Sequence, residues 1–188
     1  LTEGICEWEL ALVHESGQVA RRFSGRSMER TRQITWDGRD EDGEVREGSY
    51  TARYTVTYDK GNRPVAESRS FEIDVTGPEA QVDVGPLPFS PDNDGLNDEL
   101  EISLDVEDPS PIERWEFAIL DRNRRDFISF SGEREPADTI IWDGRSSDGE
   151  LVISAEDYPY ELTITDALGN TSTTEGLIPV GILVDRDD

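Results

Sequence analysis

The sequence predicts an all-β protein made of two tandem immunoglobulin-like β-sandwich domains. Apolar residues alternate with polar ones along several short segments, which is the pattern of a strand with one buried face. No long segment carries the apolar stripe of an amphipathic helix. A large part of the sequence also occurs twice, and an internal repeat of this length indicates a duplicated domain.

The repeat relates residues 34–62 to residues 140–170. Both segments contain Trp-Asp-Gly-Arg, at 36–39 and at 142–145, and both continue with Asp-Gly-Glu. Matching residues stay 106 to 108 positions apart. Within the repeat Tyr50 matches Tyr158 and Gly61 matches Gly169, and upstream of it Ile5 matches Ile112 and Trp8 matches Trp115. We therefore predict domains at 1–77 and 78–184, followed by a charged tail at 185–188.

The second domain is predicted to contain seven strands. Leu100, Ile102 and Leu104 alternate with polar residues, and Trp115 and Phe117 do the same. Turns rich in Gly, Asp, Asn and Pro separate such segments. Seven short strands of this kind are typical of an immunoglobulin-like sandwich. The predicted strands lie near 81–84, 99–106, 114–121, 126–130, 139–142, 158–166 and 177–184.

The first domain is predicted to be shortened at its start. Its strands show the same alternation, at Trp8, Leu10 and Leu12 and again over 50–58. Nothing in this domain matches residues 82–108, which hold the first two strands of the second domain. Either the sequence begins inside the first domain, or that domain is a smaller variant with about five strands. A sheet that lacks strands leaves unpaired edge groups, so we expect edge-strand association at the first domain.

The chain is strongly acidic, with 43 acidic and 18 basic residues and a net charge of −25. A field of this sign repels phosphate backbones and anionic lipids, so we predict a protein partner and no nucleic-acid partner. No apolar run reaches the roughly 18 residues of a membrane helix, so we expect no direct membrane insertion. Cys6 is the only cysteine, which excludes an intrachain disulfide and a thiolate metal cluster.

Residues 90–98 form the densest group of oxygen donors in the sequence. Calcium takes about six to eight such oxygens, and carboxylates at alternate positions around a glycine can wrap one ion. The predicted Ca²⁺ ligands are the carboxylates of Asp92, Asp94, Asp98 and Glu101 and the backbone carbonyl of Leu96. The alternative is a turn without an ion, in which Asp and Asn side chains accept hydrogen bonds from nearby backbone amides.

The repeated aromatic residues are predicted to be structural. Trp36 and Trp142 each end a strand and precede a glycine turn, which favours a ring buried beneath a hairpin. The alternative is an exposed ring that stacks on sugar. The residues predicted to have structural roles are Trp8, Trp36, Trp115, Trp142, Gly38, Gly144, Tyr50 and Tyr158.

The sequence offers no arrangement typical of catalysis. His14 is the sole histidine and is not part of a Ser–His, Cys–His or paired-histidine catalytic pattern. Glycine-rich phosphate loops, nucleophile elbows and paired-histidine metal motifs do not occur in the sequence. We therefore predict that the protein is not an enzyme and that it carries no cofactor other than the calcium ion considered above.

Two motifs resemble those of bacterial immunoglobulin-like modules. Residues 89–98, FSPDNDGLND, resemble the opening of such modules in gliding-motility-associated C-terminal regions. Residues 36–50, with Trp-Asp-Gly followed by Gly43, Gly48 and Tyr50, are similar to the immunoglobulin-like domain of the flagellar hook capping protein. Residues 178–184 resemble a segment of tandem arrays in spirochaete envelope proteins. The resemblance implies an exported module, in the bacterial periplasm or at the cell surface.

These observations predict a non-catalytic structural spacer and protein-interaction module of a bacterial cell-envelope or exported protein. Two alternatives stay open at this point. One is an adhesin or carbohydrate-binding module that uses loop tips or exposed aromatic rings. The other is a flagellar or filament-capping assembly component.

Overall fold

The computed structural model describes residues 4–26, 33–136 and 139–184, so the predicted tail at 185–188 lies outside the described residues. The chain divides into two compact units, unit 1 at Leu1–Val75 and unit 2 at Thr76–Asp188. The described residues form twelve strands and no helix, and every strand ladder is antiparallel. This confirms the predicted all-β, immunoglobulin-like fold class.

Unit 1 contains one five-stranded sheet among its described residues. Strands β1, β2, β3 and β4 follow the order β2-β1-β3-β4, and β5 also pairs with β3. The strands are β1 Ile5–His14, β2 Val19–Arg26, β3 Gly48–Tyr58, β4 Val65–Glu67 and β5 Phe71–Ile73.

Unit 2 contains two sheets, which pack around one core. The first has the order β10-β7-β6 and the second has the order β12-β11-β8-β9. The strands are β6 Glu79–Gly85, β7 Leu100–Glu107, β8 Ile112–Leu120, β9 Asp126–Glu133, β10 Ile140–Trp142, β11 Asp157–Asp166 and β12 Thr171–Pro179. A three-stranded sheet against a four-stranded one is a seven-stranded sandwich.

Alternation along the strands of unit 2 produces its core. Every second residue of β7, β8 and β11 points inward, so Ile102, Phe117 and Leu162 are all fully buried. Each such side chain contributes about 1.5–3 kcal/mol when it leaves water. The buried cluster is Phe89, Leu100, Ile102, Ile112, Phe117, Ile119, Trp142, Val152, Tyr158, Tyr160, Leu162, Ile164, Ile178 and Val180.

The last strand of unit 2 differs from the prediction, because it runs over Thr171–Pro179 and not over 177–184. Its inward positions hold Ser172, Thr174 and Gly176, so no apolar pattern marks its first half. Gly176 lies beneath the Tyr160 ring, where a Cβ atom would approach the ring to 2.3 Å. The large ring on one strand therefore fills the space that the small residue leaves on its neighbour.

A buried carboxylate explains why β12 begins so soon after β11. Asp166 is fully buried and accepts hydrogen bonds from the backbone N–H of Leu168 and Asn170, both at 2.8 Å. The Asn170 side-chain amide donates a third bond at 2.7 Å. Burial alone would raise the pKa of Asp166, but these hydrogen bonds hold that pKa below its usual range. The charged side chain thus closes a tight turn over 166–170.

The sheet of unit 1 has the same register as the four-stranded sheet of unit 2. Leu10 pairs with Phe23 on one side and Tyr54 on the other. Phe117 occupies the equivalent place between Phe130 and Leu162. The strand equivalent to β12 is split into β4 and β5. The three-stranded sheet of unit 2 has no counterpart within residues 4–26 and 33–75.

The duplication also includes a Phe-Ser-Gly motif that the sequence analysis did not identify. It occurs at 23–25 in β2 and at 130–132 in β9. Gly25 lies opposite Trp8, and Gly132 lies opposite Trp115. A Cβ atom on Gly25 would come within 2.6 Å of the Trp8 ring, and one on Gly132 within 2.9 Å of the Trp115 ring. Each tryptophan therefore lies flat over a glycine of the adjacent strand.

This packing predicts that Gly132→Ala destabilises unit 2 by about 1–3 kcal/mol, because the added methyl group forces the Trp115 ring to move. Urea unfolding of the full chain measures the change. Ser131→Ala is the control, since Ser131 is exposed on the opposite face and its loss should change the free energy of unfolding by less than about 0.5 kcal/mol. Equal stability of the two variants would contradict this account of the glycine.

Candidate metal-binding loop and repeated hairpins

The acidic loop joins β6 to β7 and is held at its base by a buried phenylalanine. Phe89 is fully buried, and its ring centroid lies 5.2 Å from that of Trp142. Its backbone N–H donates to the carbonyl of Pro179 at 3.1 Å, and its carbonyl accepts from Gly181 at 2.7 Å. These contacts fix residues 90–98 against the chain that leaves β12.

The structure brings three of the predicted ligands together. One carboxylate oxygen from each of Asp92, Asp94 and Asp98 lies within 4.8 Å of the other two. Asp92 is half-buried, and its Oδ2 accepts from the backbone N–H of Val184 at 3.0 Å. Its Oδ1 is buried and has no hydrogen-bond partner among the described residues.

Backbone amides of the loop donate to the other two carboxylates. Asp98 accepts from Asn93 at 2.6 Å through Oδ1 and from Gly95 at 2.7 Å through Oδ2. Asp94 Oδ1 accepts from the Leu96 N–H at 2.7 Å. These hydrogen bonds are the ones expected for a turn that holds no ion. A carboxylate has about four acceptor positions on its two oxygens, so the same groups retain lone pairs for a cation.

The backbone of the loop explains its composition. Asn93, Gly95 and Asn97 have φ values of 61°, 87° and 58°, in the left-handed region that Asn and Gly adopt most readily. Three such residues within five positions curl the chain and turn the Asp side chains toward one side. Asn and Gly at these three positions are therefore required by the backbone conformation of the loop, whether or not an ion binds.

Of the remaining two predicted ligands, Glu101 lies on a strand and not in the loop. Glu101 is an exposed residue of β7, paired with Ile141 and Gly85. The carbonyl of Leu96 accepts a long hydrogen bond of 3.4 Å from the Ser90 hydroxyl. The spacing of Glu101 in the sequence fits a calcium-binding loop. In the structure Glu101 belongs to β7, which places its side chain on the exposed polar face of the strand.

Charge is divided unequally between the units. Residues 1–75 contain 15 acidic and 11 basic side chains, whereas residues 76–188 contain 28 acidic and 7 basic ones. The field that surrounds the acidic loop is therefore more negative than the chain average. Such a field raises the local concentration of cations and of basic partners.

The Trp-Asp-Gly-Arg motif makes the same contacts in both units. The indole Nε1 of Trp36 donates to the Arg39 carbonyl at 2.7 Å, and that of Trp142 donates to the Arg145 carbonyl at 2.8 Å. The arginine N–H donates back to the motif's aspartate at 3.1 Å in each unit. The guanidinium groups then reach the carbonyls of Gly43 and Gly149, at 2.8 Å and 3.1 Å.

The tryptophan rings of this motif face other rings. Trp142 is 1% exposed and contacts Phe89, Phe127 and Tyr158, with ring centroids 5.2 Å, 6.2 Å and 6.4 Å away. Trp36 is half-buried and contacts Tyr50 at 5.2 Å and Phe71 at 6.4 Å. Trp8 and Trp115 are half-buried beside their glycines.

The motif's glycines turn the chain sharply. Gly38 and Gly144 have φ values of 82° and 81°, which other residues rarely adopt. Gly144 is also close to the acidic loop, because a Cβ atom there would lie 2.5 Å from the Pro91 side chain. The hairpin and the loop of unit 2 are thus packed against each other.

The two repeated tyrosines close the hairpins through their hydroxyl groups. Tyr50 donates to the Arg46 carbonyl at 2.7 Å, whereas Tyr158 accepts from the Ile153 N–H at 3.0 Å. Burial raises the pKa of both phenols. The folded chain therefore holds these protons more tightly than the unfolded chain does.

The raised pKa values predict that stability is lost in alkali. Tyrosines that are neutral when folded contribute stability below the unfolded pKa of 10.0, and the contribution disappears as pH rises through the folded pKa. Urea unfolding at several pH values from about 8 to 11.5 should show a decline that begins near pH 10. In Tyr158→Phe the free energy of unfolding should fall less steeply with pH than in the unaltered protein. Parallel curves for the two proteins would contradict the assignment of the decline to tyrosine ionisation.

The comparisons with known proteins concern fold. No protein-family model matches the chain, and no curated protein matches it. Among solved structures, it is similar to a tetra-tandem repeat in the extending region of a large adhesion protein, with 14% identity and a TM-score of 0.40 over 97% of this chain and 42% of that one. The chain therefore spans less than half the length of that structure.

Two further structures give similar values. The fibronectin(III)-like modules of Clostridium thermocellum CbhA match with 12% identity and a TM-score of 0.37, over 100% of this chain and 83% of theirs. Dimeric latent PorU from Porphyromonas gingivalis matches with 18% identity and a TM-score of 0.44, over 94% of this chain and 16% of that one. At these values the likeness is one of architecture. Within the described ranges, no helix has the length and apolar character needed to cross a bilayer.

Proposed function

We propose that the chain is a non-catalytic structural spacer and protein-interaction module of an exported bacterial protein. The observation that carries this proposal is the repeated hairpin. In both units the indole, the aspartate and the arginine of the motif bond to their own turn, at distances that agree within about 0.3 Å. The polar groups of the motif are thus used to hold the hairpin together. The duplication therefore preserves a set of structural contacts.

Location outside the cytoplasm is part of the same proposal. It is supported by the resemblance of residues 89–98 and 36–50 to motifs of exported bacterial modules. From the narrower resemblances, to gliding-motility and hook-capping modules, we propose a role in an envelope or filament assembly. The uneven charge suits a scaffold that repels copies of itself through unit 2 and leaves unit 1 for contacts.

Site-specific photo-crosslinking in the source bacterium tests this function. A photoreactive amino acid at Thr55 of unit 1 and one at Ser129 of unit 2 are compared in the full-length protein. Adducts to a defined extracytoplasmic protein from Thr55, with none from Ser129, would support an interaction module whose second unit acts as a spacer. Recovery of the protein in the cytoplasmic fraction would contradict the proposal.

We propose Ca²⁺ as the ion for the acidic loop. Three carboxylates within 4.8 Å repel one another, and a cation between them would remove that cost. The buried Oδ1 of Asp92 has no hydrogen-bond partner among the described residues, which supports the same proposal. Backbone carbonyls and water would supply the remaining oxygens that calcium takes. The loop's base is fixed by Phe89, so an ion would stabilise the junction between β6 and β7.

This proposal predicts a higher melting temperature in millimolar calcium than in chelator. Saturation at about 100 times Kd adds about 2.7 kcal/mol, which shifts the melting temperature of a domain of this size by several degrees. Asp94→Asn should abolish the shift, since the amide oxygen can still accept from Leu96 while the charge is lost. Asp105→Asn is the control, because Asp105 is exposed on β7 and should leave the shift intact. Identical melting in both buffers would contradict calcium binding.

Carbohydrate binding has one observation in its favour. An open groove of about 610 Å³ on the outer face of the four-stranded sheet is bordered by Arg114, Glu116 and Thr163, whose polar groups can form hydrogen bonds with sugar hydroxyls. A glycan array on the full chain, repeated with Arg114→Ala, tests this alternative. Specific binding that the variant loses would favour it over the protein-interaction role.

A further inference from the structure

Unit 1 contains an open groove that is bordered by the β1–β2 turn, by β2 and by the hairpin that follows Trp36. Its volume is about 580 Å³, within the range of about 300–1,000 Å³ that is typical of ligand pockets. Ala20 and Tyr50 are among the residues that border it. Every bordering residue lies within 14–22 or 40–50, which the structure describes. We call this feature the Ala20 groove.

Ala20 is the equivalent of Phe127 in unit 2. Each residue lies where the register of its ladder shifts, so each is the extra residue of a β-bulge. The backbone N–H of Glu41 donates to the Ala20 carbonyl at 3.1 Å, and that of Ser147 donates to the Phe127 carbonyl at 3.0 Å. The same bulge therefore carries a methyl group in unit 1 and a benzyl group in unit 2.

In unit 2 the Phe127 ring packs against both repeated aromatic residues. Its centroid lies 5.0 Å from that of Tyr158 and 6.2 Å from that of Trp142, and it meets both rings edge to face. Phe127 belongs to β9, a strand of the four-stranded sheet. The space beside the tyrosine is thus filled by a ring of the strand equivalent to β2, and not by β6 or β7.

Unit 1 keeps the tyrosine and the tryptophan of this arrangement and lacks the phenylalanine. The rings of Tyr50 and Trp36 are in contact, with centroids 5.2 Å apart. Tyr50 is one of the residues that border the groove, and Trp36 lies behind it. Since the side chain of Ala20 is a single methyl group, it does not extend over Tyr50 as the Phe127 ring extends over Tyr158. The groove lies where that ring would be.

His14 supplies a second ring beside the tyrosine, with centroids 5.1 Å apart, but it has a different role. Its Nδ1 accepts from the Ser16 backbone N–H at 3.1 Å, as Asp121 Oδ1 accepts from the Asn123 N–H at 2.7 Å in unit 2. Its Nε2 donates to the Glu47 carbonyl at 3.1 Å. These bonds hold the imidazole at the β1–β2 turn, where it forms one wall of the groove.

The border of the groove is polar. The guanidinium of Arg46 donates to the side-chain carbonyl of Gln18 at 2.5 Å. The exposed side chains of Arg22 and Asp42 also lie along the groove. An apolar floor surrounded by polar groups is typical of a pocket that receives an aromatic anchor residue in a protein–protein interface.

We infer that the Ala20 groove binds an aromatic side chain of a partner protein, in the place that Phe127 takes in unit 2. The inference rests on the proposed interaction role and gives the chemistry of the partner's contact residue. The internal repeat supplies that chemistry, because the same tyrosine and tryptophan pack against a phenylalanine in unit 2. Edge-to-face contact with Tyr50 would favour an aromatic ring over an aliphatic side chain of similar size.

The test is an NMR titration of the full chain with two capped tripeptides, in which glycines flank either phenylalanine or leucine. The phenylalanine peptide should shift the amide signals of residues 14–22 and 40–50 at millimolar concentration, and those of β11 and β12 should not shift. The leucine peptide should bind about three- to tenfold more weakly, since it makes no ring contact.

Three variants locate the binding site. Ala20→Phe should weaken binding more than tenfold, because the chain's own ring then fills the groove. Ser24→Phe is the matched control: it adds the same ring to the exposed face of the same strand and should retain binding. Phe127→Ala opens the equivalent space and should add a second set of shifts, in β9 and around Trp142. Circular dichroism shows which variants are folded, and the first two decide the matter if Phe127→Ala unfolds.

Three results would overturn the inference. The first is the absence of shifts in unit 1 at about 10 mM phenylalanine peptide. The second is equal binding by Ala20→Phe and the unaltered chain, which would place the peptide elsewhere. The third is equal affinity for the two peptides, which would mean general apolar binding. Crosslinking from Thr55 reports whether unit 1 contacts a protein at all, so adducts without peptide binding would reject the groove and leave the proposed function standing.

Discussion

The structure depends on the burial of one apolar sheet face. In a strand with alternating residues, one face becomes apolar over its whole length, and that face must be covered if the sheet is to be stable. Unit 2 covers it with β6, β7 and β10, so that Phe117, Leu162 and Ile102 leave water completely. The hairpin and the acidic loop complete this cover, because Trp142 and Phe89 belong to the same core.

The N-terminal unit satisfies the same constraint by different means. Its hairpin brings Trp36 over Tyr50, and Arg21 covers a position where unit 2 has an isoleucine. Within the described residues, Leu10 and Tyr54 are half-buried, whereas their equivalents Phe117 and Leu162 are fully buried.

Sequence periodicity predicts most of this fold because burial of one face is a local requirement. Six of the seven strands predicted for unit 2 coincide with observed strands. The seventh was misplaced because Ser172, Thr174 and Gly176 face the core, where the Tyr160 ring supplies the volume. The sequence of β12 alone does not reveal this compensation in volume, because it depends on Tyr160 of the neighbouring strand. The Phe-Ser-Gly repeat at 23–25 and 130–132 was visible in the sequence, but its meaning needs the tryptophans opposite.

The acidic loop shows the limit of reasoning from spacing. Spacing grouped five ligands, and the structure gathers Asp92, Asp94 and Asp98 because left-handed Asn93, Gly95 and Asn97 curl the chain. Glu101 follows at the right interval, but it belongs to β7, where pairing with Gly85 and Ile141 fixes its direction. Spacing in the sequence therefore predicted the carboxylates that meet within the loop but failed for Glu101, which lies on a strand.

The central claim is that unit 1 repeats the four-stranded sheet of unit 2 and that, within the described residues, the centre of its inward face is less buried. Native-state amide exchange of the free chain by NMR tests it most directly, because the two units offer paired positions in the same register: Leu10 with Phe117, and Tyr54 with Leu162. The account predicts that the unit 1 amides exchange at least about tenfold faster, since opening of unit 1 costs less by about 1.4 kcal/mol or more. Equal protection at both pairs would contradict it.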